Sequence, residues 1–426
     1  MKVLLTGSGG REHALAWKLA QSPDMEKLYA APGNPGMETV AELVPLKVTD
    51  VDGIVAFAER EKIDLVVVGP EAPLALGLAD RLEEKNIPCF GPKRQGAQLE
   101  SSKRFAKDLM ARHGIPTAEY RVFDSAIAAK AYIEDLPEGP VVIKADGLAQ
   151  GKGVVVASSR GEALTAVEAM LSGRFGDAGR EIVVEECMTG EEVSLLCFCD
   201  GKTILPMLPV QDHKRVGEGD TGPNTGGMGT YAPVSVFTPE VARQAEERIL
   251  RPMQKALREE GIDYRGCLYV GLMLTPEGPK VVEFNARFGD PETQVLMPLL
   301  ETDLLKLMAA CATGTLENEP LRWSNESAVC VVIISGGYPG DYPTGRVVHE
   351  KSGSDTNSWL FHAGTARNEQ GELVTAGGRV FGVTAKGRTL EEALRLAYDR
   401  ADHVQFDGCT FRRDIAHREI RRRRES

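Results

Sequence analysis

The first hundred residues alternate short apolar runs with amphipathic ones, and no other feature of the 426-residue chain constrains its fold as much. Residues 3–5, 28–30 and 65–68 read as strands, with helices near 12–20 and 51–61 between them. Strands linked through helices fit a parallel sheet covered by helices, because a parallel connection needs a long crossover and a helix supplies it. At one domain per ~150 residues, the length leaves room for three or four such units. Breaks in the pattern place them at 1–100, 101–190, 191–325 and 326–426.

The first junction is a helix beginning after Ser102, whose hydroxyl can cap it, and ending at Gly114-Ile115-Pro116. A smaller unit follows, with strands at 141–144, 154–158 and 181–185 and a helix near 162–171. The third unit holds a strand at 192–199, a Gly-rich loop around 216–230 and a helix at 239–257 that Pro252 should kink. The last has strands at 328–334 and 379–383 and a helix at 389–403. Arg421 to Arg424 read as a solvated tail.

Fifty basic residues stand against 62 acidic ones, a net charge of -12 that argues against a broad nucleic-acid surface and leaves only local anion pockets. The eight cysteines form no Cys-x-x-Cys pair and read as reduced core thiols. With no signal-peptide core at the start and no apolar run approaching the ~18 residues of a membrane span, the expectation is a soluble cytoplasmic protein.

The densest chemistry lies in Val282-Glu283-Phe284-Asn285-Ala286-Arg287-Phe288-Gly289-Asp290-Pro291-Glu292. Read as a strand, it puts Glu283, Asn285 and Arg287 on one face and Phe284, Ala286 and Phe288 on the other. Carboxylate and amide oxygens suit Mg2+, and a guanidinium suits a transferring phosphoryl group. The plainer reading is an edge strand with a solvated face.

Gly7-Ser8-Gly9-Gly10-Arg11-Glu12-His13 follows a strand and opens a helix, where N–H groups can hold an anion. It fails as a dinucleotide fingerprint, because Glu12 stands where the third glycine belongs. A phosphorylated sugar and simple tight packing both fit this turn. Gly147-Leu148-Ala149-Gln150-Gly151-Lys152-Gly153 lacks the spacing and hydroxyl of a P-loop and reads as a flap over phosphates, or as an ordinary hairpin. Lys144, in an apolar strand just before it, needs an anionic partner.

Glu185-Glu186-Cys187 and Glu192 can line an adenine and its ribose, or can simply be solvated. Asp212-His213-Lys214-Arg215 and the glycines through 229 suit a zwitterionic substrate beside a phosphate, or form a surface loop. His213 has no second histidine at ligand spacing and is not read as a metal ligand.

In this order the motifs resemble the ATP-grasp ligases, and within them the phosphoribosylamine-glycine ligase family. The likeness runs over nearly the whole chain, through residues 7–14, Gly69-Pro70-Glu71-Ala72-Pro73-Leu74, Ser102-Lys103, 142–154, 220–229, 283–294, His362-Ala363-Gly364-Thr365 and Arg413-Asp414-Ile415. Ala416 departs from it, where the family favours glycine, and 351–358 is unusually polar.

The resemblance implies an ATP-grasp fold with an N-terminal doubly wound domain and a C-terminal α/β domain, α+β in parts, with ATP between the two middle units. Lys103 and Lys144 would meet its phosphates under the flap of Gly147, Gly151, Lys152 and Gly153. Glu185, Glu186 and Cys187 would line the adenine, and Glu192 the ribose. Glu283 and Asn285 would hold Mg2+, which Mn2+ could replace. Arg287, Lys144 and Asp290 would act in catalysis. Gly9, Gly10, Arg11, Glu71, Asp212, Lys214, Asn224, Gly226, Gly227, Arg287 and Glu292 would face glycine and 5-phosphoribosylamine.

The implied reaction activates glycine as an acyl phosphate for attack by the amine, in purine biosynthesis. The implied partners are small molecules, with no nucleic acid or membrane, and the assembly a monomer or weak homo-oligomer. Rival readings are an ATP-grasp carboxylase or formate-dependent transformylase, a nicotinamide-binding oxidoreductase, and a nucleotide-binding module without turnover.

Overall fold

The computed structural model describes residues 1–148, 153–174, 176–351 and 357–425. Five parallel strands build the first sheet, in the order Glu42–Leu43, Lys27–Pro32, Lys2–Gly7, Leu65–Val68 and Cys89–Phe90. Val3 to Leu5 and Leu65 to Val67 are wholly buried, as strands covered on both faces must be. The helix Val51–Glu61 keeps its expected bounds because Asp50 accepts the Gly53 N–H at its start and Lys62 turns left-handed at its end.

The second sheet is antiparallel, in the order Tyr120–Phe123, Ile182–Glu186, Val141–Ala145 and Val154–Ala157. Ile143, Ala145, Ile182 and Val184 pack beneath the helices Ala126–Asp135 and Arg160–Ala169. Strand periodicity then turns Lys144 and Glu185 to the opposite face, together.

A third sheet, Ile204–Pro206, Glu191–Asp200, Arg265–Thr275 and Gly278–Asn285, is also antiparallel. Helices Pro239–Ala245 and Arg251–Glu259 cover it. Pro252 has no N–H to return to the preceding turn, and the helix accommodates this as a π-type turn over Glu246–Leu250.

The fourth sheet runs Gln211–Asp212, Gly229–Ala232, Ser327–Ile334, Arg379–Gly387 and Ser358–His362, again antiparallel. Its first two strands thus come from upstream of the third sheet's later strands. The intervening segment, expected as a loop, is a hairpin of Arg215–Gly217 and Thr221–Asn224. Gly219 and Asp220 reverse it at positive φ, which a loop reading does not anticipate.

The arginine-rich end is a further correction, because it forms the helix His417–Glu425 and is no solvated tail. Glu419 is wholly buried there, accepting from Ser235 Oγ at 2.8 Å, Arg422 at 2.7 Å and Arg423 at 2.9 Å. Arg422 also reaches Glu191 at 2.7 Å. Just before this helix, Ala416 has φ +64°, a left-handed backbone that glycine adopts more readily than alanine. The cysteines are unpaired, with Cys197, Cys199, Cys267, Cys311 and Cys330 in the core. No helix among the described residues is long and apolar enough to cross a membrane.

Candidate active site

All four units meet at a cleft of about 430 Å³. Arg11 and Glu71 enter it from the first unit, Lys144 from the second sheet, Glu283 and Asn285 from the third, and Arg379 from the fourth.

The strand expected over 282–292 ends at Asn285. Phe284, Ala286 and Phe288 are nonetheless all buried, so the alternation outlasts the sheet. The Ala286 N–H donates to Glu100 at 2.7 Å rather than to a neighbouring strand, which carries the chain away from the ladder. One bulge precedes this point, with Glu283 opposite Gly271 and Val281 opposite Leu272. The Val282 carbonyl between them accepts from Lys144 Nζ at 3.2 Å.

Glu185 Oε2 lies 3.0 Å from Lys144 Nζ and 3.1 Å from Lys107 Nζ, and all three side chains are buried. The anion that Lys144 requires is therefore Glu185. Lys107 escaped the sequence reading, although it stands one helical turn after Lys103. Burial, against the pull of Glu185 and with Lys144 nearby, lowers its pKa to about 8. Glu185 Oε1 has no hydrogen-bond partner. Lys103 Nζ donates to the Gly147 carbonyl at 3.3 Å, and burial outweighs Glu283 to lower its pKa.

Burial pushes the Glu283 carboxyl up, but Lys214, Lys144, Lys103 and Arg287 together bring it below its ordinary value. Glu283 is thus ionised, yet it makes no hydrogen bond or ion pair among the described residues. An ionised carboxylate open to the cleft, two positions from an amide oxygen on Asn285, is the hard-oxygen donor set that Mg2+ takes. Nearby, Arg287 lies between Glu100 at 2.9 Å and Glu71 at 3.6 Å. Burial works against its charge, and these two carboxylates overcome that. Glu100 itself is raised, because its burial exceeds the pull of Arg287.

Beyond Arg287, Glu292 Oε1 accepts from Tyr269 at 2.9 Å and Ser194 at 3.0 Å. Asp212 is pushed well up by burial and then by Glu292, against Lys214 and Arg379, and its Oδ1 has no partner. Lys214 pairs with Glu192, beside a small recess that both share with Asp212 and Glu283. Burial raises the Asp290 carboxyl, but Arg379 and Arg11 hold it below its ordinary value.

Other expected residues stand apart from this cleft. Asn224 is exposed on the hairpin, and Glu186 is exposed beside Lys280 at 3.7 Å. Gly147 and Cys187 are not on the cleft wall, whereas Leu148 and Gly153 are; Gly151 and Lys152 lie outside the described residues. Gly9, Gly10 and Gly227 do not line the cleft.

The Gly9 N–H donates to Glu12 Oε2 at 2.7 Å, and Glu12 Oε1 accepts from Arg11 at 2.6 Å. That turn is filled by the chain's own buried carboxylate. A Cβ on Gly7 would stand 2.4 Å from Glu12 Cγ, so tight packing accounts for this glycine.

His213, Asp220 and His417 have donor atoms close enough for a metal. They are already committed, since His213 Nε2 accepts the Ala416 N–H at 2.9 Å and Arg412 and Arg418 lie 3.1 and 3.3 Å from Asp220. Glu100, Tyr269, Ser194 and Arg379 were also missed, each being remote in sequence from the motif it joins.

Two antiparallel sheets closing on a lysine-topped, carboxylate-floored cleft, with a parallel-sheet unit in front and a further unit behind, define an ATP-grasp ligase. Family models described as the phosphoribosylglycinamide synthetase N domain, ATP-grasp (A) domain and C domain match residues 1–100, 101–293 and 328–418. The phosphoribosylamine-glycine ligase of Rhizobium meliloti is 52% identical, with 99% of each chain covered. That of Escherichia coli O6:H1 is 49% identical, again with 99% of each covered.

Among solved structures, the phosphoribosylamine-glycine ligase of Thermotoga maritima aligns with a TM-score of 0.86 at 34% identity, over 98% of this chain and 100% of that one. The biotin carboxylase domain of Hydrogenobacter thermophilus 2-oxoglutarate carboxylase shares the fold alone, with a TM-score of 0.73 at 17% identity over 96% and 91%. The chain belongs to the phosphoribosylamine-glycine ligase family.

Proposed function

We propose that this protein joins glycine to 5-phosphoribosylamine with ATP, giving glycinamide ribonucleotide, ADP and phosphate. The observation that carries the reading is Glu283, an ionised carboxylate without a hydrogen-bond or ion-pair partner among the described residues, facing Lys103, Lys144, Lys214 and Arg287. Cations gathered around an unpaired carboxylate suit a metal-bridged polyphosphate, and the family membership supplies the substrates.

Oxide is a poor leaving group, so glycine's carboxylate oxygen first takes the γ-phosphoryl group and ADP departs. The amine then attacks the carbonyl carbon of glycyl phosphate, the C–O bond to phosphate breaks, and the amine loses a proton to Asp290. No protein nucleophile is needed, only positioning and charge neutralisation.

Glu283 and Asn285 would hold Mg2+, or Mn2+ in its place, and the metal when bound supplies charge compensation for the phosphates. Lys103 and Lys144 hold the phosphates, Glu185 and Glu192 serve the nucleoside end, and Arg287 steadies the transferring group. Arg11, Glu71, Asp212, Lys214, Gly226 and Glu292 serve the acceptor substrates. The units divide at 100, 190 and 325, and the protein works in the cytoplasm.

A coupled assay checks this reading. ADP should form only when glycine, phosphoribosylamine and Mg2+ are all present, and equal ADP formation without glycine would refute the assignment.

A further inference from the structure

Arg379 opens the strand Arg379–Gly387 of the fourth sheet, and its side chain lines the cleft. Nη1 donates to the Gly226 carbonyl at 2.6 Å and to the Asp290 carbonyl at 2.8 Å. Nη2 lies 3.4 Å from Asp290 Oδ2. One guanidinium thereby ties together two cleft segments that are far apart in sequence.

A second tether acts on the same segment, since the Gly226 N–H donates to Tyr338 Oη at 3.0 Å. The fit is close: a Cβ on Gly226 would stand 3.0 Å from Arg379 Cζ, tighter than ordinary van der Waals contact. Without Arg379, the Asp290 carbonyl and carboxylate lose the same partner.

We propose that Arg379 is a positioning residue for the acceptor side of the cleft, fixing Gly226 and Asp290 so that the C-terminal unit completes the site where the amine meets activated glycine. The proposal rests on the ligase reading given above. Only an arginine suits the position, because a planar fork can serve two carbonyls and a carboxylate at once, and an ammonium on a flexible stem cannot hold that geometry. The nucleotide depends on other residues, namely Lys103 and Lys144 at its phosphates and Glu185 and Glu192 at its nucleoside end.

The test compares wild type with Arg379→Ala, Arg379→Lys and Tyr338→Phe. A misplacement of about 1 Å can reduce rate ~100-fold, so Arg379→Ala should lower kcat by roughly that factor. It should also raise the KM for phosphoribosylamine about tenfold or more. The KM for ATP and the calorimetric affinity for MgADP should stay within about twofold. Arg379→Lys should recover only a minor part of the loss, and Tyr338→Phe should show a weaker loss in the same direction.

Unchanged kcat and phosphoribosylamine KM in Arg379→Ala would overturn the proposal. So would equal worsening for ATP and phosphoribosylamine, which marks a role in general folding only. Should Arg379→Ala fail to fold, the other two variants decide, and wild-type parameters in both refute the proposal. Wild type that makes no ADP with phosphoribosylamine refutes the ligase reading instead, and MgADP affinity across the variants still reports whether Arg379 spares the nucleotide end.

Discussion

Glu283 and Phe284 are neighbours on one strand and both border the cleft, yet Glu283 offers it a carboxylate while the Phe284 ring is buried in the core. Glu283→Ala should therefore raise the Mg2+ concentration needed for half-maximal activity about tenfold or more, while Phe284→Ala leaves that requirement unchanged and lowers stability by ~3 kcal/mol. Matching metal titrations for wild type and Glu283→Ala would refute this. Ala416 offers a second comparison at this scale. Its left-handed backbone disfavours any side chain by ~1–2 kcal/mol, so in Ala416→Gly the relieved strain offsets the lost methyl and the freer unfolded chain. That variant should melt within about two degrees of wild type. Ala397→Gly, equally buried but inside the helix Leu390–Ala401, has no strain to release and should be destabilised by about 2 kcal/mol. Individual residues were legible when their chemistry fell within a motif. Glu283 and Lys144 did so, whereas Glu100 and Lys107 act through partners 187 and 78 positions away, Arg287 and Glu185, and local periodicity carries no trace of those pairings.

Elements with a clear period were the most legible. The helix Val51–Glu61 and the strand Leu65–Val68 end where their caps and turns say they should. The run after Val282 misled because burial kept its two-residue rhythm while the backbone changed partners, from the ladder to Glu100. Composition misled at the C-terminus, where four arginines suggest solvation. Their helix instead closes over Glu419, whose carboxylate has three neighbouring donors and no solvent. Glu419→Ala should lower stability by about 2 kcal/mol, since Ser235 and two arginines lose a buried acceptor. A solvated tail would show no change in chemical denaturation. Arg421→Ala, on the same helix, serves as the comparison and should stay within about 0.5 kcal/mol of wild type.

At the scale of the molecule, the first and fourth units are joined by a histidine pair. His13 Nδ1 accepts the His362 N–H at 2.8 Å, so this bond requires His13 to be unprotonated there. Burial, and then His362, lowers His13 to about 3; burial, and then Arg367, lowers His362 to about 4. Unfolding restores both to about 6.5. Their contribution to stability is full above that value and is lost as pH falls toward 3, because the unfolded chain takes up the protons first. His13→Gln keeps an acceptor but cannot charge, and should move the acid-unfolding midpoint down by about half a pH unit. An unmoved midpoint would show that the pair does not set acid stability. The order of the sheets along the chain has a different consequence. The backbone passes from the third sheet into the fourth at Gln211, returns at Arg265, and crosses again at Ser327, so these two halves are laced together by three strokes of covalent chain. The sheet that carries Lys144 is one uninterrupted stretch, entered after Thr117 and left before Glu191. Of the two walls of the cleft, it alone can swing like a page on its binding, and the floor with Glu283 stays stitched in place.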